Sequence, residues 1–194
     1  MMEFIEFKKI PRLSREVILT EKIDGTNGVI HIGESGEFLV GSRTRWIDEH
    51  TDNHNFWHWC MENKTDLSNL GIGAHYGEWW GNGIQRGYNL PKGEKRFSLF
   101  NCRRWVKDRT QPLLEKQEYC PECCYVVPIL WTGIFDTLEI DKVLDKLSQN
   151  GSMASLGYKL PEGIVIYHKA ANMYFKKTIL KDTEWKGKNE ARAI

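Results

Sequence analysis

The sequence predicts an α+β fold with largely antiparallel sheets. Short runs of β-branched and aromatic residues recur along the chain, separated by turn-forming residues. Helical periodicity is confined to two segments, which do not alternate regularly with the strands. Regular alternation would predict a parallel sheet, so its absence favours α+β. The 194 residues suffice for one domain with a real core, or at most two small ones.

The predicted strands are the runs that are rich in branched and aromatic residues. They cover residues 17–20, 29–32, 38–41, 75–80, 97–101, 125–130, 163–168 and 173–180. Asp24 and Gly25 separate the first two runs. Asp can bond its own backbone and Gly tolerates positive φ, so this pair predicts a tight turn within a strand–turn–strand unit.

Two helices are predicted. The first covers residues 54–69, where large apolar residues recur at helical spacing. The second is indicated by an i, i+3, i+4, i+7 stripe, which consists of Ile140, Val143, Leu144 and Leu147. Asp136 and Glu139 can form a capping pair at its start, and Asn150-Gly151 can end it.

The overall charge does not indicate a nucleic-acid binder, because 27 Lys and Arg against 26 Asp and Glu give a net charge of +1. Basic residues do cluster locally, as Lys92, Lys95 and Arg96, as Arg103, Arg104, Lys107 and Arg109, and as Lys181, Lys186, Lys188 and Arg192. Each cluster taken alone is more simply a solvated face. The eight Trp would suit base stacking, although core packing explains most of the aromatic residues equally well.

The chain carries no sign of export or of membrane insertion. Acidic residues interrupt its apolar N-terminal stretch, and no apolar run approaches the ~20 residues of a membrane helix. Five cysteines, an odd number without an export signal, favour reduced thiols. We therefore expect a cytoplasmic protein that does not contact a membrane.

Two patterns are typical of metal sites, and neither is complete. Cys120, Cys123 and Cys124 have the spacing of half a zinc site, to which Cys102 could add a ligand, but no second knuckle follows. Reduced thiols in a loop are the favoured interpretation. Histidines also recur at four-residue intervals, as His50, His54 and His58. No catalytic Glu lies between them, so solvent-facing or capping histidines are favoured.

Lys22 stands one residue before the Asp24-Gly25 turn. A lysine amine can act as a covalent nucleophile once it has lost its proton. Because a free lysine has a pKa of about 10.4, its surroundings must favour the neutral amine through burial, a nearby cation or a bound metal. An ordinary hairpin with an exposed lysine would have the same local sequence, so the rest of the chain has to decide.

Further segments resemble, in order, the motifs of the covalent nucleotidyltransferases, which are the DNA ligases, RNA ligases and mRNA capping enzymes. The first motif of that superfamily is Lys-x-Asp-Gly, matched by residues 22–25. The later motifs are matched by residues 41–45, 76–81, 97–101, 161–166 and 174–178. The extended segment 76–88 and the form Glu-Lys-Ile-Asp-Gly-Thr-Asn resemble ATP-dependent RNA ligases most closely.

This resemblance implies a nucleotidyltransferase core, ATP-grasp-like, of largely antiparallel sheets with flanking helices. It implies a single adenylation domain over residues 1–194. The OB-fold domain that DNA ligases and capping enzymes carry after the fifth motif has no room here. We therefore expect a stand-alone core or a fragment of a larger chain, with substrate capture supplied by a helper protein or by a missing domain.

The implied reaction uses ATP and Mg²⁺ (or Mn²⁺). Lys22 would form a lysyl-AMP, the AMP would pass to an RNA 5′-phosphate, and an RNA 3′-hydroxyl would then seal the strand. The alternatives are a DNA ligase or capping-type core, or a nucleotide- or RNA-binding module that does not seal. The preferred RNA end and the oligomeric state cannot be read from the sequence.

The resemblance also implies the residues that bind the phosphates. Lys176 and Lys177 can serve the α-phosphate, but on an extended strand they face opposite sides, so only one should reach it. Lys176 is favoured, although Lys-Lys departs from the commoner Lys-x-Lys and leaves the choice open. Arg43 is expected at a phosphate or the ribose, and Asn27 at a phosphate or in the turn.

The remaining implied contacts concern the metal and the nucleoside. Glu162 and Asp24 are expected near the lysine and the metal, since Mg²⁺ prefers oxygen ligands. Glu78 is expected to accept hydrogen bonds from the ribose hydroxyls. Glu21 is expected to face the adenine edge, and Phe100 to stack on the base.

Overall fold

The computed structural model describes residues 3–7 and 9–180. The basic cluster at Lys181, Lys186, Lys188 and Arg192 lies outside the described residues. The strands are β1 (Glu16–Lys22), β2 (Thr26–Ile32), β3 (Phe38–Gly41), β4 (Trp46–Ile47), β5 (Gly73–Gly81), β6 (Lys95–Leu99), β7 (Trp105–Val106), β8 (Glu118–Tyr119), β9 (Cys124–Val126), β10 (Ile129–Ile134), β11 (Gly163–His168) and β12 (Met173–Thr178). The helices are α1 (Phe56–Glu62), α2 (Lys64–Leu67) and α3 (Thr137–Asn150), with 3₁₀ turns at Ser68–Leu70 and Gly87–Asn89.

Two large sheets make up the frame of the molecule. One sheet has four strands in the order β10-β1-β11-β12, and the other has six in the order β4-β3-β2-β5-β6-β9. All their pairings are antiparallel except that of β6 with β9. β7 and β8 form a small parallel pair. The predicted α+β class with mostly antiparallel sheets is confirmed.

The alternation of side chains along β1 determines which residues face the six-stranded sheet and which face α3. Val17 and Leu19 pack with α3 on one face. Ile18 faces the other way, and Lys22, an even number of residues further on, shares its face. A lysine at this strand end is therefore directed toward the six-stranded sheet rather than toward α3.

Aromatic packing supports the six-stranded sheet. The Phe56 ring of α1 lies with its centroid 5.3 Å from that of Trp79 and 5.1 Å from that of Phe97. All three rings are at most 1% exposed. Buried aromatic rings contribute much of the apolar area of a core, so α1 is held on the sheet mainly by these contacts.

The first predicted helix starts later than the sequence pattern suggests, and it is broken. His54 and Asn55 have φ values of 53° and 67°, and α1 begins only at Phe56. A left-handed backbone cannot continue into a right-handed helix, which excludes both residues. Asn63, with φ of −103° and ψ of 13°, then separates α1 from the single turn of α2.

The second predicted helix is confirmed as α3, with one change at its start. The Asp136 carboxylate accepts a hydrogen bond from the Leu138 amide at 2.8 Å. Glu139 does not complete the predicted capping pair, because its carboxylate binds Lys142 at 2.7 Å instead. Gly151 ends the helix with a φ of 90°, a conformation that suits glycine.

The predicted strand 125–130 divides into β9 and β10, which belong to different sheets. Pro128 lies between them, and proline has no amide hydrogen for a sheet ladder. Its carbonyl accepts a hydrogen bond from the Glu21 amide at 3.0 Å. The chain therefore crosses from one sheet to the other at Pro128. In the part of the chain that the structure describes, no helix has the length and apolarity to span a bilayer.

Candidate active site

A cavity of about 1080 Å³ lies between the two large sheets. Its walls come from β1, β11 and β12 on one side and from β2 and β5 on the other. The predicted site residues along it are Glu21, Lys22, Asn27, Arg43, Glu78, Phe100 and Lys176. The fold thus gathers residues that lie far apart in the sequence.

Lys22, the last residue of β1, forms an ion pair with Glu162. Its Nζ donates to Glu162 Oε2 at 2.6 Å, and the two side chains are 23% and 19% exposed. The register explains the contact, because Lys22 pairs with Gly163 at the start of β11, the residue after Glu162. A carboxylate this close favours the charged amine, so the neutral form that can attack requires a further cation beside the pair, such as a bound metal.

Glu78 holds the turn that follows the lysine. Its Oε1 accepts from the Gly25 amide at 3.0 Å, and its Oε2 accepts from Asn27 Nδ2 at 3.1 Å. Burial raises the pKa of Glu78 to about 7, although the charge of Lys22 and the Gly25 hydrogen bond both lower it. Glu78 therefore changes its charge near neutral pH, while it orients the turn beside Lys22.

Gly25 is required for space rather than for positive φ. Gly25 is not among the described glycines with positive φ, so the turn does not use that conformational freedom. A Cβ added there would lie 2.5 Å from the Trp79 carbonyl oxygen and 2.8 Å from Trp80 Cβ. The turn is therefore pressed against β5, and a side chain would push it away.

Asp24 is bound by an arginine that the sequence analysis did not single out. Arg86 Nε donates to Asp24 Oδ2 at 2.8 Å, and Arg86 Nη1 donates to the Leu160 carbonyl at 2.8 Å. Arg86 thus connects the turn after Lys22 with the loop that leads into Glu162. It lies within the RNA-ligase-like segment 76–88, which was the available signal, but its type and spacing alone indicated no role.

The loop that carries Arg86 has a strained backbone. Gln85, Tyr88 and Asn89 have φ values of 44°, 52° and 55°, and such left-handed residues cost roughly 1 kcal/mol or more each. Tyr88 is fully buried, and its ring centroid lies 4.6 Å from that of Tyr158. Its hydroxyl accepts a hydrogen bond from the Asp24 amide at 2.8 Å. Packing and this hydrogen bond offset the strain and hold the turn in place.

Lys176 and Lys177 diverge, as their adjacent positions on β12 require. Lys176, opposite Val165, lines the cavity. Lys177 faces α3, where its ammonium forms an ion pair with Asp141. Of these two lysines, only Lys176 lines the cavity that also contains Lys22.

Glu21 is present in the cavity wall, but its carboxylate is not brought together with the others. Glu21 is 1% exposed, and its Oε2 accepts from the amides of Met153 and Ala154 at 2.7 and 2.9 Å. Oε1 is buried without a hydrogen-bond partner among the described residues, and burial raises the pKa of this carboxyl. Strand alternation turns the side chain toward the loop after α3, away from Lys22. The expected contact of this carboxylate with the adenine edge stays a prediction.

The site offers a divalent cation carboxylate oxygens as ligands, but only a small number of them. Mg²⁺ and Mn²⁺ are suited by oxygen ligands, and Mg²⁺ needs only one or two carboxylates because it retains waters. Glu162 and Asp24 are the candidate carboxylates, and each is already paired with a cation, Glu162 with Lys22 and Asp24 with Arg86. Within residues 3–7 and 9–180, no cluster of three or more His, Cys, Asp or Glu is arranged to hold a metal.

Among the described residues, the cysteines and histidines of the two incomplete metal patterns do not come together as a set of metal ligands. Cys120 and Cys124 are buried under the six-stranded sheet, and Cys102 belongs to a different buried cluster. His50, His54 and His58 do not share a helix face, because α1 begins only at Phe56. His54 precedes α1, and His58 Nδ1 lies 2.6 Å from an oxygen of Asp52.

Comparison with known proteins agrees with this architecture. The RNA ligase family model matches residues 15–182. A sequence search of curated proteins gave no match. Among solved structures, the chain is similar to variants of Naegleria gruberi RNA ligase.

An aspartate-to-alanine variant without ligand shares 21% identity and a TM-score of 0.60, over 86% of this chain and 50% of that one. A lysine-to-methionine variant with AMP and Mn shares 20% identity and a TM-score of 0.60, over 86% and 50% of the chains. A lysine-to-alanine variant with ATP and Mn shares 20% identity and a TM-score of 0.59, over 85% of this chain and 49% of that one. The chain spans about half the length of these structures, and identity this low shows the fold alone. Since the family model covers most of the sequence, the chain belongs to the RNA ligase family.

Proposed function

We propose that this chain is the adenylating core of an ATP-dependent RNA ligase, with Lys22 as its nucleophile. The observation that carries the proposal is the Lys22–Glu162 pair, at 2.6 Å, beside a cavity large enough for a nucleotide. Ligand pockets commonly have volumes of about 300–1,000 Å³. The ATP-bound and AMP-bound Naegleria gruberi structures, which also contain Mn, support ATP and a divalent metal as its cosubstrate and cofactor.

In the first step, the lone pair of Lys22 Nζ attacks the α-phosphorus of ATP. A P–N bond forms, the bond from that phosphorus to the bridging oxygen breaks, and pyrophosphate leaves with its electron pair. Glu162 Oε2, which already accepts from Nζ, would receive the proton. Lys176 and Arg43 supply positive charge for the phosphate oxygens.

The other residues would orient the nucleotide. Glu78 and Phe100 both line the cavity. In this proposal Glu78 accepts hydrogen bonds from the ribose hydroxyls, and Phe100 packs on the base. A divalent metal held at Glu162 would neutralise charge on the phosphate oxygens. Asn27 would act through Glu78, whose carboxylate it binds.

In the later steps, AMP passes from Lys22 to the 5′-phosphate of an RNA end, and a 3′-hydroxyl displaces AMP to form the phosphodiester. RNA ends are thus the proposed partners. A helper protein, or a domain beyond the 194 residues, would assist their capture.

The test is incubation with α-labelled ATP or GTP and Mg²⁺. One sample is denatured to measure label on the protein, and nicked RNA or nicked DNA is added to a second sample that is kept native. We expect label on the protein with ATP, none in Lys22→Ala, and wild-type labelling in Lys92→Ala, which changes an exposed lysine. Label from GTP alone would point to capping chemistry. Sealing of nicked DNA but not of RNA would make it a DNA ligase, and labelled protein that seals neither would refute ligation. An absence of label under all conditions would refute the nucleophile.

A further inference from the structure

We propose that Tyr167, Tyr174 and Arg103 form a binding site for an unpaired nucleobase of the RNA substrate. This proposal rests on the proposed function. Tyr167 and Tyr174 are direct partners on β11 and β12. Their ring centroids are 4.7 Å apart, with the planes at 31°. The Arg103 guanidinium lies 6.0 Å from the Tyr167 ring centroid, and all three residues line the cavity that contains Lys22.

The two tyrosines lie at the end of this cavity that is remote from the nucleophile. On β11, Gly163 pairs with Lys22 and Tyr167 pairs with Ile18. With a strand rise of about 3.3 Å per residue, Tyr167 lies about 13 Å along the sheet from Lys22. Lys176, opposite Val165, lies between the two ends. The cavity of about 1080 Å³ lies at the upper end of the volumes that are common for ligand pockets, which leaves this end available to a second ligand group.

The rings are held in place but remain open to solvent. The Tyr167 hydroxyl donates to Asn172 Oδ1 at 2.8 Å, which fixes that ring. Tyr174 is 63% exposed despite its large apolar surface. Core packing therefore does not account for Tyr174. An open aromatic face backed by a second ring is suited to stacking with a base, and such stacking tolerates every base because each has a π-face.

The charges along the cavity favour a polyanion. Its cationic residues are Lys22, Arg43, Arg103, Arg104 and Lys176, whereas its acidic residues, Glu21 and Glu78, are both buried. Arg104 binds Glu118 at 3.0 Å. Arg103 is exposed and forms no ion pair with another described residue. A guanidinium beside an aromatic pair can stack on a base or bind the neighbouring phosphate.

The test measures binding of a short, 5′-phosphorylated single-stranded RNA that contains 2-aminopurine, whose fluorescence falls on stacking. We expect Tyr174→Ala and Arg103→Ala to weaken binding about tenfold and Tyr174→Ala to lose most of the quenching. Tyr174→Phe, which retains the ring, should bind like the wild type. Met173→Ala is the matched control, because Met173 is 52% exposed on the same strand but lies outside the cavity lining.

Formation of lysyl-AMP without RNA is measured in parallel, and each variant should retain the wild-type rate. A slower reaction with ATP in Tyr174→Ala, with RNA binding unchanged, would assign the platform to adenine and overturn the proposal. RNA binding within twofold of wild type in both alanine variants would also overturn it. If lysyl-AMP never forms but the variants lose RNA binding, the proposed ligase activity fails while the base site stands.

Discussion

At the scale of single residues, Lys176 and Lys177 show how one position along a strand changes the surroundings of a charge. Lys176 lines the cavity, whereas Lys177 binds Asp141 of α3. We predict that Lys176→Ala slows lysyl-AMP formation about 100-fold, because a preorganised cation near the α-phosphate is lost. The measurement is the single-turnover rate with labelled ATP.

Lys177→Ala is the matched comparison. We expect less than about a threefold change in that rate and a stability loss within about 1 kcal/mol, as for a solvent-screened surface ion pair. An equal loss of rate in both variants would contradict the division of roles.

Glu78 should make stability depend on pH. Its pKa is raised from 4.5 to about 7 by burial, so between these values the unfolded chain has lost a proton that the folded protein retains. Stability should therefore fall as pH rises from 4.5 to about 7, by on the order of 3 kcal/mol at most. Urea unfolding of wild type and Glu78→Gln at pH 5 and pH 8 measures this. Comparable losses in both proteins would exclude Glu78 as the cause.

At the scale of elements, the loop from β5 to β6 positions two parts of the site through Arg86. Arg86→Ala removes the hydrogen bonds to Asp24 and to the Leu160 carbonyl. We predict a 10- to 100-fold lower rate of lysyl-AMP formation, roughly the effect of misplacing a reacting group by about 1 Å, with little change in the ATP concentration at half saturation. Arg86→Lys should restore little of the rate of lysyl-AMP formation, because an ammonium cannot reproduce the planar contacts of the guanidinium with both Asp24 and the Leu160 carbonyl.

Arg109→Ala, which removes a half-exposed arginine between β7 and β8, controls for the loss of charge. If Arg86→Ala changed ATP affinity alone, Arg86 would be a binding residue rather than a positioning residue.

Helix α3 depends on the Asp136 cap at its first turn. Asp136→Ala should destabilise the protein by about 1 kcal/mol, because the Leu138 amide loses its acceptor. Asp136→Asn should lose only part of this stability, since the side-chain oxygen of Asn can still accept a hydrogen bond from the Leu138 amide. Chemical denaturation measures both variants, and equal stability of wild type and Asp136→Ala would show that the cap contributes nothing.

At the scale of the whole molecule, a nucleotide between the two sheets should couple their stabilities. In Lys22→Ala, which cannot form the covalent adduct, ATP at 100 times its Kd should stabilise the folded protein by about 2.7 kcal/mol. The measurement is thermal unfolding with and without ATP and Mg²⁺, followed by both fluorescence and circular dichroism. A single transition that shifts in both signals is expected. A shift with GTP but not with ATP would contradict the proposed base preference.

The sequence by itself determined the elements with strong local signals. The strand pattern, the stripe of α3 and the cap at Asp136 are all visible locally, because side-chain alternation and helical periodicity involve residues near one another in the chain. The order of the motifs likewise predicted the RNA ligase family. The local pattern gave the wrong boundaries in two places. The first helix begins later than its periodicity predicts, because His54 and Asn55 have a left-handed backbone. The predicted strand 125–130 is divided at Pro128 into two strands that belong to different sheets.

Only the tertiary structure decided which side chains meet at the cavity. The Lys22–Glu162 contact spans 140 residues and depends on the register of β1 with β11. The binding of Asp24 by Arg86 and the rotation of the Glu21 carboxylate toward the loop after α3 depend equally on distant packing. Sequence spacing specifies the face of a strand but not what is packed against that face, and the chemistry of each group depends on that neighbour.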